Sequence, residues 1–145
     1  MFAKRQDFKH WKQVAADYIS RWGSGEIVYY ELKNQNASIS SAVTVDTPSV
    51  SSLRRISAVL KTTSVDGTSS TLPKLTLAWT DADSGGSMSQ DVTATAGTDS
   101  TANQSNGTII VNAKAGVAIT FTTSGYLSNT GGKMKYAINV SVEAL

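Results

Sequence analysis

Residues 134–142 read MKYAINVSV, and apolar and polar side chains alternate along this stretch. A period of two is typical of a β-strand that buries one face and exposes the other. We therefore predict a central strand here, with Tyr136, Ile138 and Val140 facing the core. Met134 and Val142 share that side, whereas the other side carries Lys135, Ala137, Asn139 and Ser141.

The same period recurs upstream, between turn signals, as far as residue 27. Asp66-Gly67 and Asn106-Gly107 are pairs that favour tight turns, and Pro48 and Pro73 mark strand starts. Residues 93–107 are small, polar and low in complexity, which predicts a long exposed loop. We predict strands at residues 27–32, 38–45, 54–63, 72–80, 88–95, 108–112, 118–123 and 134–142. These eight strands predict an all-β protein, an antiparallel β-sandwich of the jelly-roll type.

Before residue 26 the period changes to that of a helix. Phe8, Trp11, Ala15, Tyr18 and Trp22 follow a 3-4-3-4 spacing, which predicts one short amphipathic helix over residues 7–22. Asp7 suits the N-cap and Gly23 the residue after the last turn. We therefore divide the chain into an attachment arm, residues 1–25, and a sandwich domain, residues 26–145.

The aromatic stripe of this predicted helix requires a covering surface. Three alternatives for this covering surface remain open: the chain's own sandwich, another chain, or a membrane surface. Under the second alternative, the partner-binding residues are Phe8, Trp11, Tyr18 and Trp22.

Composition removes several classes of function. The chain has 145 residues, a formal net charge of +2 and no cysteine, so thiolate catalysis and Cys-ligated zinc are excluded. Ser and Thr make up about a quarter of the residues, well above ordinary globular usage. The near-neutral charge gives no reason to expect a nucleic acid partner. No run of about 18 apolar residues is present, so we expect no membrane partner.

Groups able to perform catalysis are few. His10 is the single histidine, it lies among basic residues, and no nucleophile elbow accompanies it. The carboxylates Asp81, Asp83 and Asp91 surround a Ser-Gly-Gly stretch that is ordinary turn chemistry. We expect no catalytic residue, no metal site and no cofactor, and hence no enzyme.

A carbohydrate-binding module is the alternative from a different class of function. Sugar binding by a sandwich needs an exposed aromatic ring, and Trp79 and Tyr126 are the candidates outside the helix. Trp79 shares a strand face with Leu75 and Leu77, which favours core packing. Tyr126 lies in a Ser-Gly-Tyr-Leu turn, where exposure is expected.

From residue 28 onward the chain resembles a small β domain of tailed-bacteriophage virion proteins. The resemblance rests on VYYELKNQ at residues 28–35, RISAVLKTT at 55–63, LTLAWTDAD at 75–83, VNAKAGVAITFTT at 111–123 and MKYAINVSVEAL at 134–145. The predicted N-terminal helix does not match this pattern. It is therefore the segment where an attachment particular to this protein is expected.

The resemblance implies a bacteriophage virion structural protein, made in the host bacterial cytoplasm and located in the virion. A short chain without a fibrous shaft favours a capsid decoration, or cement, protein on the head surface. A neck, tail or tail-fibre protein is the close alternative. The implied partners are other virion proteins, either the major capsid protein or a neck or tail protein, together with further copies of the chain in a homotrimer.

Overall fold

The computed structural model describes residues 27–67, 69–98 and 101–145, and over these ranges the regular structure is entirely β. Every strand pairing in the described part is antiparallel. The strands are β1 Ile27–Gln35, β2 Val43–Asp46, β3 Ser52–Ser64, β4 Ser70–Leu72, β5 Lys74–Thr80, β6 Ser87–Asp91, β7 Ala96–Gly97, β8 Gln104–Ala113, β9 Ile119–Ser124, β10 Leu127–Ser128 and β11 Lys135–Ala144.

Two four-stranded sheets form the sandwich. Sheet I has the order β1-β11-β3-β8 and sheet II the order β2-β9-β5-β6, while the short strands β10, β4 and β7 form a small third sheet. If only the eight strands of sheets I and II are numbered, in chain order, the order is 1-8-3-6 in sheet I and 2-7-4-5 in sheet II. This is jelly-roll topology, and it confirms the prediction of an eight-stranded antiparallel sandwich.

The core lies between sheets I and II. β11 is a central strand of sheet I, and Tyr136, Ile138 and Val140 are buried on its inner face, as predicted. Phe121 of sheet II is fully buried, and the ring of Tyr30 meets it edge-on at a centroid distance of 5.7 Å. Other large side chains with no exposed surface are Ile56, Leu60, Leu72, Leu75, Leu77, Ile119 and Met134.

The predicted helix over residues 7–22 lies outside the described residues, with its stripe Phe8, Trp11, Tyr18 and Trp22. The boundary between residues 25 and 26 also remains a prediction. The sandwich strands begin at Ile27, one residue after the predicted start of the second domain.

Asn106-Gly107 is not a turn, which corrects the sequence interpretation. Both residues lie within β8, where Asn106 pairs with Val59 and Gly107 with Ala58. A Cβ atom at Gly107 would come within 1.8 Å of the backbone carbonyl oxygen of Val92. Glycine is therefore required by a close backbone approach rather than by a reversal of the chain. The long exposed loop predicted at residues 93–107 is also corrected, because β7 and the start of β8 lie within this range and Thr93 and Thr98 are buried.

Three other predicted strands are divided or shortened. The strand predicted at 38–45 corresponds to β2, which begins only at Val43. The strand predicted at 72–80 is two strands in different sheets, because Pro73 separates β4 from β5 and has no N–H to donate to a ladder. The strand predicted at 88–95 ends at Asp91, after which the N–H groups of Val92 and Thr93 both donate to the Leu75 carbonyl.

Candidate interaction surface

The outer face of sheet I carries apolar side chains from β1, β3 and β8, with Leu145 directly after β11. Alternation places every second residue of each strand on this face, opposite the core. Register then aligns these residues in rows across the sheet. One row is Ile27, Glu143, Arg55 and Ile110, and the next is Tyr29, Ser141, Ser57 and Thr108.

These apolar side chains are exposed to solvent, because no other residue in the described part of the chain covers them. Five of the ten exposed large hydrophobic side chains in that part lie on or next to this one sheet face, where they surround a polar centre. We call this set of residues the apolar face. Its members are Ile27 at 42% exposure, Tyr29 at 77%, Leu53 at 49%, Ile110 at 57% and Leu145 at 51%.

Small polar groups fill the centre of the apolar face. The hydroxyls of Ser57 and Thr108 are hydrogen-bonded across β3 and β8 at 2.9 Å. Arg55 Nη1 donates to Glu143 Oε2 at 3.0 Å, so the two charges that lie between Ile27 and Ile110 neutralise each other. The middle of the face is therefore polar, and the large apolar side chains lie around it.

The outer face of sheet II has the opposite character. Its outward residues on β2, β9 and β5 are mostly threonine, and none of the exposed large hydrophobic side chains of the described part lies among them. The Thr76 hydroxyl and Lys74 Nζ both donate to Asp91, at 2.6 and 2.7 Å. The hydrogen bond from Lys74, followed by the one from Thr76, lowers the pKa of Asp91. The domain thus has one apolar and one hydroxyl-rich side.

The Asp-Ala-Asp-Ser stretch forms a turn, as predicted. Asp81 Oδ2 accepts hydrogen bonds from both the backbone N–H and the hydroxyl of Ser84, each at 2.8 Å. These bonds to Ser84 lower the pKa of Asp81, the backbone bond most strongly. Across the described ranges, no three His, Cys, Asp or Glu side chains group as metal ligands would. His10 lies outside those ranges.

The two aromatic candidates for sugar binding are both partly buried. Trp79 packs against the hydrophobic core, in agreement with its predicted role. Tyr126 also packs against the core, which corrects the expectation of an exposed ring. Its hydroxyl donates to the Met134 carbonyl at 2.7 Å, and its ring lies 5.9 Å from that of Tyr136. Tyr126 therefore offers no free platform.

Sequence reasoning identified none of the five residues of the apolar face. A signal was nevertheless present in β1, where Ile27 and Tyr29 alternate with Val28, Tyr30 and Leu32. A strand with apolar side chains on both faces indicates that both faces have a covering surface. Ile109 and Ile110, adjacent on β8, carry the same signal.

No segment of residues 27–67, 69–98 or 101–145 forms a helix of the length and hydropathy needed to cross a bilayer.

The sequence matches no known protein family and no curated protein. Solved structures do match in fold. The globular domain of the zebrafish complement 1qA protein has a TM-score of 0.53 at 12% identity, over 82% of this chain and 95% of that one. Eiger TNF from S. frugiperda has a TM-score of 0.43 at 9% identity, over 82% and 92%.

A viral protein is also among the matches. The structure of infectious bursal disease virus, Gx strain, has a TM-score of 0.44 at 17% identity, and the match covers 83% of this chain but 34% of that one. None of these three structures comes from a bacteriophage. The likeness to the zebrafish domain, at 12% identity, is one of fold alone, so the chain is a jelly-roll β-sandwich similar to that domain in architecture.

Proposed function

We propose that the protein is a non-enzymatic structural protein of a tailed-bacteriophage virion, in which copies of the chain associate through the apolar face. The observation that carries the proposal is the concentration of Ile27, Tyr29, Leu53, Ile110 and Leu145 on one side of a single sheet. Burying such side chains is the main favourable term in protein association.

A second copy of the same chain is the occupant that the charges favour. The net charge of +2 is small, so copies of the chain repel one another only weakly. Arg55 and Glu143, which lie between Ile27 and Ile110, already neutralise each other and require no charged partner. Tyr29, at 77% exposure, is the type of residue that dominates binding energy at interfaces. A homotrimer, as the sequence resemblance implies, is the assembly we propose.

The assignment to the virion rests on the resemblance in sequence pattern given above. Within the virion, we propose a capsid decoration protein on the head surface, with a neck, tail or tail-fibre position as the alternative. The major capsid protein is the corresponding partner in the first case and a neck or tail protein in the second.

Light scattering and sedimentation of the purified full-length chain test the association. Tyr29→Ser and Ile110→Ser should each shift the chain towards monomer, and at equal chain concentration the melting temperature should fall only by the stabilisation that association provides. Leu127→Ser is the matched control, because Leu127 is 52% exposed but belongs to β10 in the small third sheet. A wild-type chain that remains monomeric at high concentration would contradict the proposal, as would equal effects of all three substitutions.

Mass spectrometry and cryo-electron microscopy of purified particles test the virion assignment. The expected result is density for this jelly roll on the head shell. Density at the neck or tail would select the alternative, and absence of the chain from the particles would refute the assignment.

The carbohydrate-binding alternative rested on Tyr126, whose ring packs on Tyr136. A glycan-array signal that is lost in Tyr126→Ala, without any particle association, would restore it.

A further inference from the structure

A buried arginine lies at one end of the sandwich, separate from the apolar face. Arg54 is the third residue of β3, and its exposure is 7%. It shares the inner side of the strand with Ile56, whereas the neighbouring Arg55 is on the outer side, paired with Glu143. The chain thus places a cationic side chain at the edge of an otherwise apolar core.

The guanidinium of Arg54 is poorly satisfied by the protein. Nη2 donates to the Val50 carbonyl at 3.4 Å, which is long for such a bond. Nε is buried and has no hydrogen-bond partner, and Arg54 takes part in none of the ion pairs among the described residues. A buried cation that forms no ion pair is costly, so a ligand that supplies negative charge would be favoured here.

The neighbouring residue on the same side of β3 has the same deficit. Ser52 Oγ is also buried without a partner, and Ser52 precedes Arg54 by two residues. In the described part of the chain these are the two buried side-chain polar atoms that lack a partner. Of these two residues, Arg54 is the one that lines a pocket, so its unpaired Nε is the atom that a polar ligand could reach.

Arg54 also lines a pocket. The pocket has a volume of about 200 Å³, which exceeds the space of a single water molecule several times. It is bounded by the inner side of β1, the end of β2, the connection from β2 to β3, and the start of β3. Its lining residues are Val28, Asp46, Thr47, Pro48, Ser49 and Arg54.

We propose that this pocket binds a small oxyanion, a carboxylate or phosphate group, on the Arg54 guanidinium. The planar fork of arginine matches both groups geometrically, and two parallel N–H donors bind two of their oxygens. Thr47 and Ser49 add hydroxyl donors at the rim. Asp46 is the one carboxylate in the lining, and it is less buried than Arg54, so water screens it more effectively.

Asp46 makes the proposal sharply testable. If the ligand is an oxyanion, Asp46 repels it, and Asp46→Asn should tighten binding several-fold. If the pocket instead held a cation or a polyhydroxylated ligand that donates to Asp46, the same change would weaken binding. The direction of this one effect separates the ligand classes.

The experiment titrates the full-length chain with inorganic phosphate and, separately, with acetate. Sodium chloride at matched ionic strength is the reference, and calorimetry and thermal melts are the measurements. A specific anion should raise the melting temperature saturably, beyond the effect of chloride. Stabilisation by acetate alone would indicate a carboxylate ligand, and stabilisation by phosphate alone a phosphate ligand.

Variants complete the test. Arg54→Gln should abolish the specific stabilisation, Arg54→Lys should reduce it because lysine lacks the fork, and Arg55→Gln on the opposite side of β3 should leave it unchanged. If Arg54→Gln does not fold, Asp46→Asn and Arg54→Lys still decide the question. Equal effects of phosphate, acetate and chloride would overturn the proposal, as would weaker anion binding in Asp46→Asn.

Discussion

The hydroxyl of Tyr136 donates a hydrogen bond to the backbone carbonyl of Ala37 at 2.8 Å, although 99 positions separate the two residues in sequence. The same hydroxyl lies 3.2 Å from Thr123 Oγ1, which in turn accepts from the N–H of Ile39 at 2.8 Å. Because the proton of Tyr136 points to Ala37, the Thr123 hydroxyl donates to the phenolic oxygen. One buried network therefore connects β11, β9 and the chain between β1 and β2.

Removing this hydroxyl should destabilise the fold modestly at neutral pH. Tyr136→Phe keeps the ring in the core and deletes the two hydrogen bonds, so we expect a loss of about 1 kcal/mol in the free energy of unfolding. Tyr29→Phe is the matched control, because the ring of Tyr29 is 77% exposed. Urea denaturation of both variants measures the difference. Equal stability of Tyr136→Phe and wild type would show that the network contributes nothing.

The same residue should make the protein sensitive to alkali. Burial raises the pKa of Tyr136 above its ordinary value of 10.0, so the folded state holds the phenolic proton more tightly than the unfolded state. Its contribution to stability is complete below pH 10 and is lost as the pH rises through the folded-state pKa. Stability curves between pH 8 and pH 12 should therefore fall more steeply for wild type than for Tyr136→Phe. Parallel curves would contradict the shift.

Gly107→Ala should destabilise the domain severely. The new methyl group would meet the Val92 carbonyl oxygen at 1.8 Å, and because that oxygen belongs to the backbone and the methyl is fixed to its own Cα, β8 or the Val92 segment must move. We expect a loss on the order of 3 kcal/mol or more, the upper range for overpacking. Gly97→Ala in β7 is the control, because a Cβ there has no atom within 4 Å. Thermal melts compare the two, and similar melting temperatures would refute the clash.

Asp91 should titrate at an unusually low pH. Its pKa is lowered from 3.8 by the hydrogen bond from Lys74 and then by that from Thr76. The contribution of Asp91 to stability is therefore present above the unfolded-state pKa. It disappears as the pH falls through the folded-state pKa. The group is exposed, so the effect on stability is small. Carboxyl NMR titration should show this pKa rising in Lys74→Met. An unchanged pKa would show that Lys74 is not the cause.

Trp11→Ala tests the predicted N-terminal helix. If the stripe is an anchor on another chain, incorporation into the particle should weaken by on the order of 2 kcal/mol or more, with no change in melting temperature. If the stripe covers the sandwich itself, folding stability should fall by about 3–5 kcal/mol. Thermal melts and particle co-sedimentation of the same variant distinguish the two. A large drop in melting temperature would refute the anchor.

Much of the fold was predictable because alternation is a local signal. The strand at residues 134–142 was recognised from its own sequence, and its inner face is the one predicted. Asn106-Gly107 was misread because the glycine is required by a contact with a distant part of the sequence, the close approach of the Val92 carbonyl. No pattern within the neighbouring residues reveals such an approach before the topology is known.

The surface features were harder to predict, for the same physical reason. The apolar face joins Ile27, Leu53, Ile110 and Leu145, residues that come together only when β1, β11, β3 and β8 pair. Arg54 appeared as one charge in a strand, and its burial follows from the register of β3. Interpretation of single strands identifies which residues alternate, but not which outer face remains uncovered.

The position of β11 between β1 and β3 has a consequence for how the protein is made. Among the described strands, β11 is the only partner of β1 in sheet I. β1 therefore stays unpaired in this sheet until residues 135–144 have left the ribosome. Until then, β1 and β3 are open edges, and open strand edges recruit other chains into aggregates. Sheet I therefore forms only after residues 135–144 have been made, in a late step that joins β11 to β1 and β3 together, and the yield in the cell should depend on how quickly β11 inserts.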